Sequence, residues 1–167
     1  TEDAITDDIH ERRLSVYKKY MLPIFKKNRG VKTLIFVSTY YDFLRLRSLY
    51  KAVEKNIKFI SEYTAESEER KSRRAFNDGS NEDALYLVIT ERYYFYNRIR
   101  CHGAQRVLFY NLPTNHEYYY EILNWFDTKQ QYESYALYCK HIDNLALQRI
   151  VGAKRMLKML NNKQSHR

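Results

Sequence analysis

Glycine is scarce in this chain: four residues in 167, Gly30, Gly79, Gly103 and Gly152, with no two close together. A phosphate-cradling loop needs clustered glycines so that backbone N–H groups can approach the phosphates, followed by a lysine and a hydroxyl residue. Neither a Walker loop nor a dinucleotide fingerprint is present, so independent nucleotide binding is not expected and no cofactor is called for. Cysteine is scarcer still. Cys101 and Cys139 are too few and too isolated for a disulfide framework or a structural zinc site, which points to a reducing compartment. The five histidines, His10, His102, His116, His141 and His166, include no i, i+4 pair and no Cys/His spacing suited to zinc. They are read as surface or capping residues, and no metal site is expected. No apolar run approaches the roughly 20 residues that span a bilayer, and the N-terminus has no signal-peptide pattern, so a soluble domain is expected. Ser38 lacks the flanking glycines of a nucleophile elbow, and nothing proposes a hydrolytic triad.

Positive charge and tyrosine are abundant instead. Lys and Arg exceed Asp and Glu by 29 to 20, a net charge of +9, which favours polyanionic partners such as RNA or DNA. The length suits one domain of ordinary size, with room for an extra arm. A start at Thr1 without Met reads as that of a piece of a longer protein.

Residues 1–30 read as an N-terminal helical arm. They are acidic at first and basic from Arg12, with Leu14, Tyr17, Tyr20, Met21 and Ile24 near helical spacing, a bend or end near Pro23 and closure at Gly30. Residues 31–167 then alternate two patterns. "VKTLIFVST", "NIKFISEY", "ALYLVIT", "RVLFYNL" and "SYALYCK" are short apolar runs typical of buried parallel strands. "YYDFLRLRSLYKAVEK", "AESEERKSRRAFNDG", closed by Gly79, and "NHEYYYEILNWF" repeat apolar residues at helical spacing, and "HIDNLALQRIVGAKRMLKML" predicts one long final helix. The alternation predicts an open α/β fold, a mostly parallel sheet sandwiched by helices, with any ligand near Thr39, Glu62 to Thr64, Thr90 to Arg92 and Asn111 to Pro113 at the carboxyl ends of the strands.

Four basic clusters stand out: Lys18/Lys19 with Lys26/Lys27/Arg29, Arg70 to Arg74, Arg92/Arg98/Arg100, and Lys154/Arg155/Lys158. The second follows Glu66, Glu68 and Glu69, so i, i+4 pairing on a solvated helix face accounts for part of it. The third is interleaved with aromatics in "TERYYFYNRIRC", residues 90–101. There Arg92, Arg98 and Arg100 are candidate phosphate contacts, and Tyr93, Tyr94 and Tyr96 have three destinations: base stacking, a protein interface or the domain's own core.

With the strands placed, the order of short motifs resembles the second RecA-like domain of superfamily-two RNA helicases of the DEAD-box type. "LIFVST" resembles the family's first strand, which implies that Thr39 lies near RNA. "RAFNDG" resembles its helix-ending Phe-x-x-Gly, "LVITER" the strand ending in Thr-Asp, and "GAQRVLFYNLPTNHEYY" the Gly-Val strand leading to Asp-Leu-Pro and Glu-x-Tyr. The departures fall on the chemistry. Where a helicase has small residues and an Arg-Gly-x-Asp turn, this chain has "TERYYFYNRIRC". The family's His-Arg-x-Gly-Arg run falls on Glu121, Ile122, Leu123, Asn124 and Trp125, so both arginine positions hold other side chains. An arginine finger supplies on the order of 10³ to 10⁵ in phosphoryl-transfer rate, and neither Ile nor Trp replaces its charge. ATP turnover by this domain is not expected.

"ISEYT", "ITERYYFYNRIRCHGAQRVLFYNLP" and "LALQRIVGAKRM" are similar to the digestive organ expansion factor family of nucleolar, DEAD-box-like proteins associated with small nucleolar RNA. The resemblance implies a catalytically degenerate component of the small-subunit processome, located in the nucleus and nucleolus. It would act as a protein/RNA-binding scaffold in pre-ribosomal RNA processing and 18S ribosomal RNA production, with processome proteins and pre-ribosomal or small nucleolar RNA as partners. Tyr93, Tyr94, Tyr96 and Trp125 then become candidate interface residues in place of catalytic groups. The competing expectation is an RNA-dependent ATPase whose catalytic half lies outside this chain.

Overall fold

β1 (Thr33–Val37) and β3 (Tyr86–Thr90) are buried at every position, so the sheet they form is covered on both faces, as parallel sheets are. The computed structural model describes residues 2–27, 30–51, 56–78, 85–126, 132–140 and 142–161. With β2 (Ile57–Ile60), β4 (Arg106–Phe109) and β5 (Glu133–Ala136), the strands make one five-stranded parallel sheet in the order β2-β3-β1-β4-β5. The register sets Val37 beside Thr90 and Phe36 beside Phe109, so the carboxyl ends of the central strands are level. The open α/β sandwich expected from the sequence is therefore the observed fold.

Right-handed crossovers decide which face each helix covers. The chain runs in one direction from β1 to β2, through α3 (Tyr40–Lys51), and in the other from β2 onward, through α4 (Glu66–Asn77), α5 (Glu91–Asn97) and α6 (His116–Leu123). Phe76, Tyr93, Tyr94, Tyr118 and Ile122 from the latter three accordingly pack with Leu34, Phe36, Leu87, Ile89, Val107 and Phe109 on one face. On the opposite face, Phe43, Leu46 and Tyr50 of α3 meet Ile35, Val37, Val88 and Leu108.

The N-terminal arm completes that second face. α1 (Glu2–Val16) and α2 (Leu22–Lys27) are joined by a π-helical turn, Tyr17–Met21, in which the Leu22 N–H donates five residues back to the Tyr17 carbonyl. The wide turn stands directly before Pro23, which has no N–H to give to a regular ladder. Tyr17 and Phe25 point into the sheet, 0% and 1% exposed, and the Tyr17 hydroxyl bonds that of Tyr50. Arg13, also buried, donates Nη1 to the Tyr110 carbonyl at 3.2 Å and forks onto the Asp143 carboxylate, Nη1 to Oδ2 at 3.1 Å and Nη2 to Oδ1 at 3.2 Å.

Four expectations need correction or restriction. "TERYYFYNRIRC" holds a helix, α5, in place of the expected helicase loop. The single long final helix is two, α7 (Asn144–Val151) and α8 (Ala153–Asn161), because Gly152 adopts φ 83°, outside any helical conformation. The last strand is shorter than "SYALYCK" and starts one residue earlier. Gly79 lies outside the described residues, where the observed end of α4 is Asn77.

Removing Arg13 strands a buried carboxylate. Arg13→Ala is expected to lower unfolding free energy by about 3–5 kcal/mol in urea titration, and Arg13→Ala/Asp143→Ala by clearly less than the sum of the two single changes. Additive losses would show that the pair does not tie the arm down.

Candidate functional site

In an open parallel sheet, ligands sit where the connections leaving adjacent strands diverge beyond their carboxyl ends. That point lies between β1, whose chain turns toward β2, and β4, whose chain turns toward β5. Its polar groups are paired with one another. The fully buried Asp42 accepts from Thr39 Oγ1 and from Asn111 Nδ2, both at 2.8 Å, and lies 2.7 Å from His10 Nδ1. Asn111 Oδ1 accepts the Ser38 N–H at 3.2 Å, and Ser38 Oγ donates to the Leu112 carbonyl at 3.0 Å. His10, expected as a surface or capping residue, is half-buried and paired with this carboxylate near the start of α3.

Beside this network, Thr90 caps α5 by accepting the Tyr93 N–H at 3.2 Å while donating to Glu62 at 2.7 Å. Glu91, buried behind it, accepts the Thr114 N–H at 3.0 Å and the Asn115 N–H at 3.1 Å. Asn115 in turn caps α6 by accepting the Glu117 N–H at 3.0 Å. Backbone donors approaching a helix N-terminus are the groups that commonly hold phosphate. Here the protein's own carboxylate occupies two of them.

The aromatic run resolves by helical period. Tyr93 and Tyr94 fall on the inner face of α5, each 3% exposed, whereas Arg92, Phe95 and Tyr96 fall on the outer one. Of the three expected destinations, Tyr93 and Tyr94 are packed into the domain's own core. Tyr94 packs edge-on to Tyr118, ring centroids 5.2 Å apart, and lies 5.6 Å from the half-buried Trp125. Its hydroxyl donates to Glu121 at 2.6 Å, and that of Tyr93 donates to Glu69. Burial, reinforced by these carboxylates, pushes both phenols above the usual tyrosine range. Burial also raises Tyr17 and Tyr110, and it pushes the Cys101 thiol up to about 12, which keeps it neutral.

The remaining candidates divide between two open hollows. A groove of about 750 Å³ at the carboxyl edge is lined by Arg92, Phe95 and Tyr96 of α5, Glu91, Ser38, residues 114–116, Tyr118 and Arg149 of α7. Phe95 and Tyr96 are 53% and 63% exposed, and the Arg92 guanidinium stands 5.9 Å over the Tyr96 ring. A second hollow, of about 540 Å³, collects Tyr94, Arg98, Ile99, Arg100, Glu121, Asn124 and Trp125. Arg98 takes a left-handed backbone at the end of α5, φ 42°, stacks 4.7 Å over Tyr118 and chelates Glu121 at 2.8 and 3.0 Å. Arg100 is exposed beside it. Thr39 stands apart from both, its hydroxyl engaged with Asp42 at the start of α3. Phe95 and Arg149 were not singled out in the sequence, Glu91 entered only within the strand-end range Thr90 to Arg92, and His116 was read as a surface or capping residue. The i, i+3, i+4 spacing of Arg92, Phe95 and Tyr96 was the signal that would have found Phe95.

Among the described residues no group of three or more His, Cys, Asp or Glu side chains is placed to hold a metal ion. Arg70 and Arg73 pair with Glu66 and Glu69 at 3.4 and 2.9 Å, the i, i+4 arrangement expected for that cluster.

The sequence profile described as "Utp25, C-terminal domain" matches residues 2–167. The chain is 33% identical over 162 residues to the human U3 small nucleolar RNA-associated protein 25 homolog, covering 93% of this chain and 21% of that protein. It is 32% identical over 158 residues to Protein NUCLEOLAR FACTOR 1 of Arabidopsis thaliana, covering 92% and 20%. It thus spans about a fifth of the length of the curated relatives it matches. Among solved structures, the E. coli DEAD-box protein SrmB, determined with regulator of ribonuclease activity A, superposes with TM-score 0.67 at 13% identity over 84% of this chain and 78% of its own. Domain 2 of the DEAD-box helicase Mss116p, determined with an RNA duplex, gives 0.66 at 17% identity over 87% and 56%. At such identities these likenesses establish the RecA-like fold alone.

The raised values of Tyr17, Tyr93, Tyr94 and Tyr110 make a pH prediction. A phenol whose folded value exceeds its unfolded value of about 10 contributes stability that is complete below that pH and is lost as pH rises through the folded value. The urea midpoint is expected to hold from neutrality to about pH 10 and to fall above it, with tyrosinate absorbance showing a late-ionising group. A midpoint unchanged to about pH 11 would contradict the burial described.

Proposed function

The chain belongs to the Utp25 family through that family's C-terminal domain, and from this premise we propose that it acts as a catalytically degenerate, DEAD-box-like scaffold of the small-subunit processome. Membership agrees with the resemblance read from "ITERYYFYNRIRCHGAQRVLFYNLP" and "LALQRIVGAKRM". In this reading the protein works in the nucleolus, in pre-ribosomal RNA processing and 18S ribosomal RNA production, alongside processome proteins and small nucleolar or pre-ribosomal RNA. The relatives' names, which attach them to U3 small nucleolar RNA, support it.

The observation that carries the scaffold reading is the fate of the phosphoryl-stabilising positions. Ile122, at the first arginine position of the helicase pattern, is 0% exposed and part of the core. Trp125, at the second, is packed against Tyr94. Glu91 closes the adjacent backbone donors. With Ile and Trp at these two positions, the site lacks the arginine pair that would stabilise charge on a transferring phosphoryl group. What faces outward suits adhesion: Tyr96, Phe95 and Arg92 at the carboxyl edge, and Trp125 with Arg98 and Arg100 in the second hollow.

Within this proposal Arg92 and Arg100 are the stronger phosphate contacts. Arg98 is largely neutralised by Glu121, and Thr39 contributes its exposed position at the end of β1 more than its committed hydroxyl.

Full-length protein with RNA is expected to hydrolyse ATP no faster than a protein-free control. Clear, RNA-stimulated turnover would replace the scaffold reading with that of an RNA-dependent ATPase whose catalytic half lies outside this chain. Separately, the logarithm of affinity for single-stranded RNA should fall with the logarithm of salt concentration, and Arg92→Gln with Arg100→Gln should flatten that slope by roughly 0.7 for each phosphate no longer neutralised. An unchanged slope would assign both arginines to protein contacts.

A further inference from the structure

"LALQRIVGAKRM" is the one distinctive motif that neither the sheet nor its carboxyl edge uses in full. Its first half is α7, which packs on the body through Leu147 and Ile150 against Leu112 and Tyr119. Gly152 then redirects the chain, and α8 begins. Among its described residues no side chain is buried, and Met156, half-buried against the Leu147 cluster, is its hold on the body.

α8 is nevertheless sharply two-sided. At 100° per residue, Ala153, Met156, Leu157, Met159 and Leu160 fall on one side, and Lys154, Arg155, Lys158 and Asn161 on the other. Leu157, Met159 and Leu160 are 55%, 57% and 37% exposed. Three large apolar side chains within one nine-residue helix, about 14 Å long, form a patch of the kind that marks an interaction site. Electrostatics narrows the partner. From residue 144 to 161 there are four cations, Arg149, Lys154, Arg155 and Lys158, and no Asp or Glu.

We infer that α8 is the docking ridge for an acidic amphipathic segment of another protein, received as a helix whose leucine-type side chains cover Leu157, Met159 and Leu160 and whose carboxylates meet Lys154, Arg155 and Lys158. RNA alone would satisfy the cations and leave the apolar face in water. A second copy would bring like charge onto like charge, on a chain already at +9. An acidic amphipathic helix answers both halves of the surface, by face-to-face helix packing with charge complementarity. Among the residues lining the carboxyl-edge groove none comes from α8, so this surface holds whether or not the full protein turns over ATP.

The test uses full-length protein and a synthetic acidic helical peptide with apolar residues at i, i+3, i+4 and i+7. Leu157→Glu with Met159→Glu, both at exposed positions, should weaken binding by about tenfold or more without changing the melting temperature. Lys154→Glu with Lys158→Glu should weaken it similarly and restore binding to a charge-reversed peptide. A scrambled peptide of the same composition should bind at least about tenfold more weakly than the periodic one. A photo-crosslinker at Leu157 in the native assembly should label a protein segment rich in Asp and Glu with helix-spaced apolar residues. Equal binding of the periodic and scrambled peptides, labelling of RNA, of lipid, of a second copy or of this chain's own residues, or no labelled product, would each overturn the inference.

Discussion

A parallel sheet has no water-facing side, and this one leaves the task of covering it unevenly shared. Of its four crossovers, three run in the same direction and put α4, α5 and α6 on one face, while the first alone supplies the other face, with α3. One helix cannot roof five strands. The arm's Leu14, Tyr17 and Phe25 fill the deficit and share a cluster with Phe43, Leu46 and Tyr50. Each of those rings brings a large apolar area, worth about 1.5–3 kcal/mol for a fully buried Phe. The arm is therefore part of the core that it encloses, whatever boundary its sequence composition marks near Gly30.

The same economy governs the carboxyl edge. Buried polar groups there are paired by side chains from other elements: Glu91 across to the start of α6, Asp42 between the arm, α3 and Asn111, Glu62 onto Thr90. A buried polar group left unpaired costs about 1–3 kcal/mol, and here the protein supplies the partners itself. The result is a fixed edge from which a few aromatic and arginine side chains project.

Strand positions were legible because β-branched apolar runs of four to nine residues between helix-spaced segments have few other uses. α5 was not, because consecutive aromatics hide a period: in "YYFY" every position is aromatic, and only the packing distinguishes Tyr93 and Tyr94 from Phe95 and Tyr96. The break at Gly152 was hidden for the opposite reason, since the apolar spacing continues through it and a lone glycine does not announce a change of direction. Candidate site residues were found by type and then divided by geometry. Arg92 and Arg98 are six positions apart in sequence, yet line different hollows, because the helix between them ends in a left-handed turn. The network around Asp42 was invisible because its members come from residues 10, 39, 42 and 111, and no local pattern records such a meeting.

The fork between Arg13 and Asp143 joins residues 130 apart, and so it fixes an order of events during synthesis. A ribosome adding about 5–20 residues per second makes Arg13 roughly 6 to 26 s before its partner. Through that interval the guanidinium has no buried carboxylate to meet and keeps its water. Within this domain the arm is therefore made before the sheet it covers yet is among the last parts to be locked, and the face beneath it is sealed only when α7 has emerged.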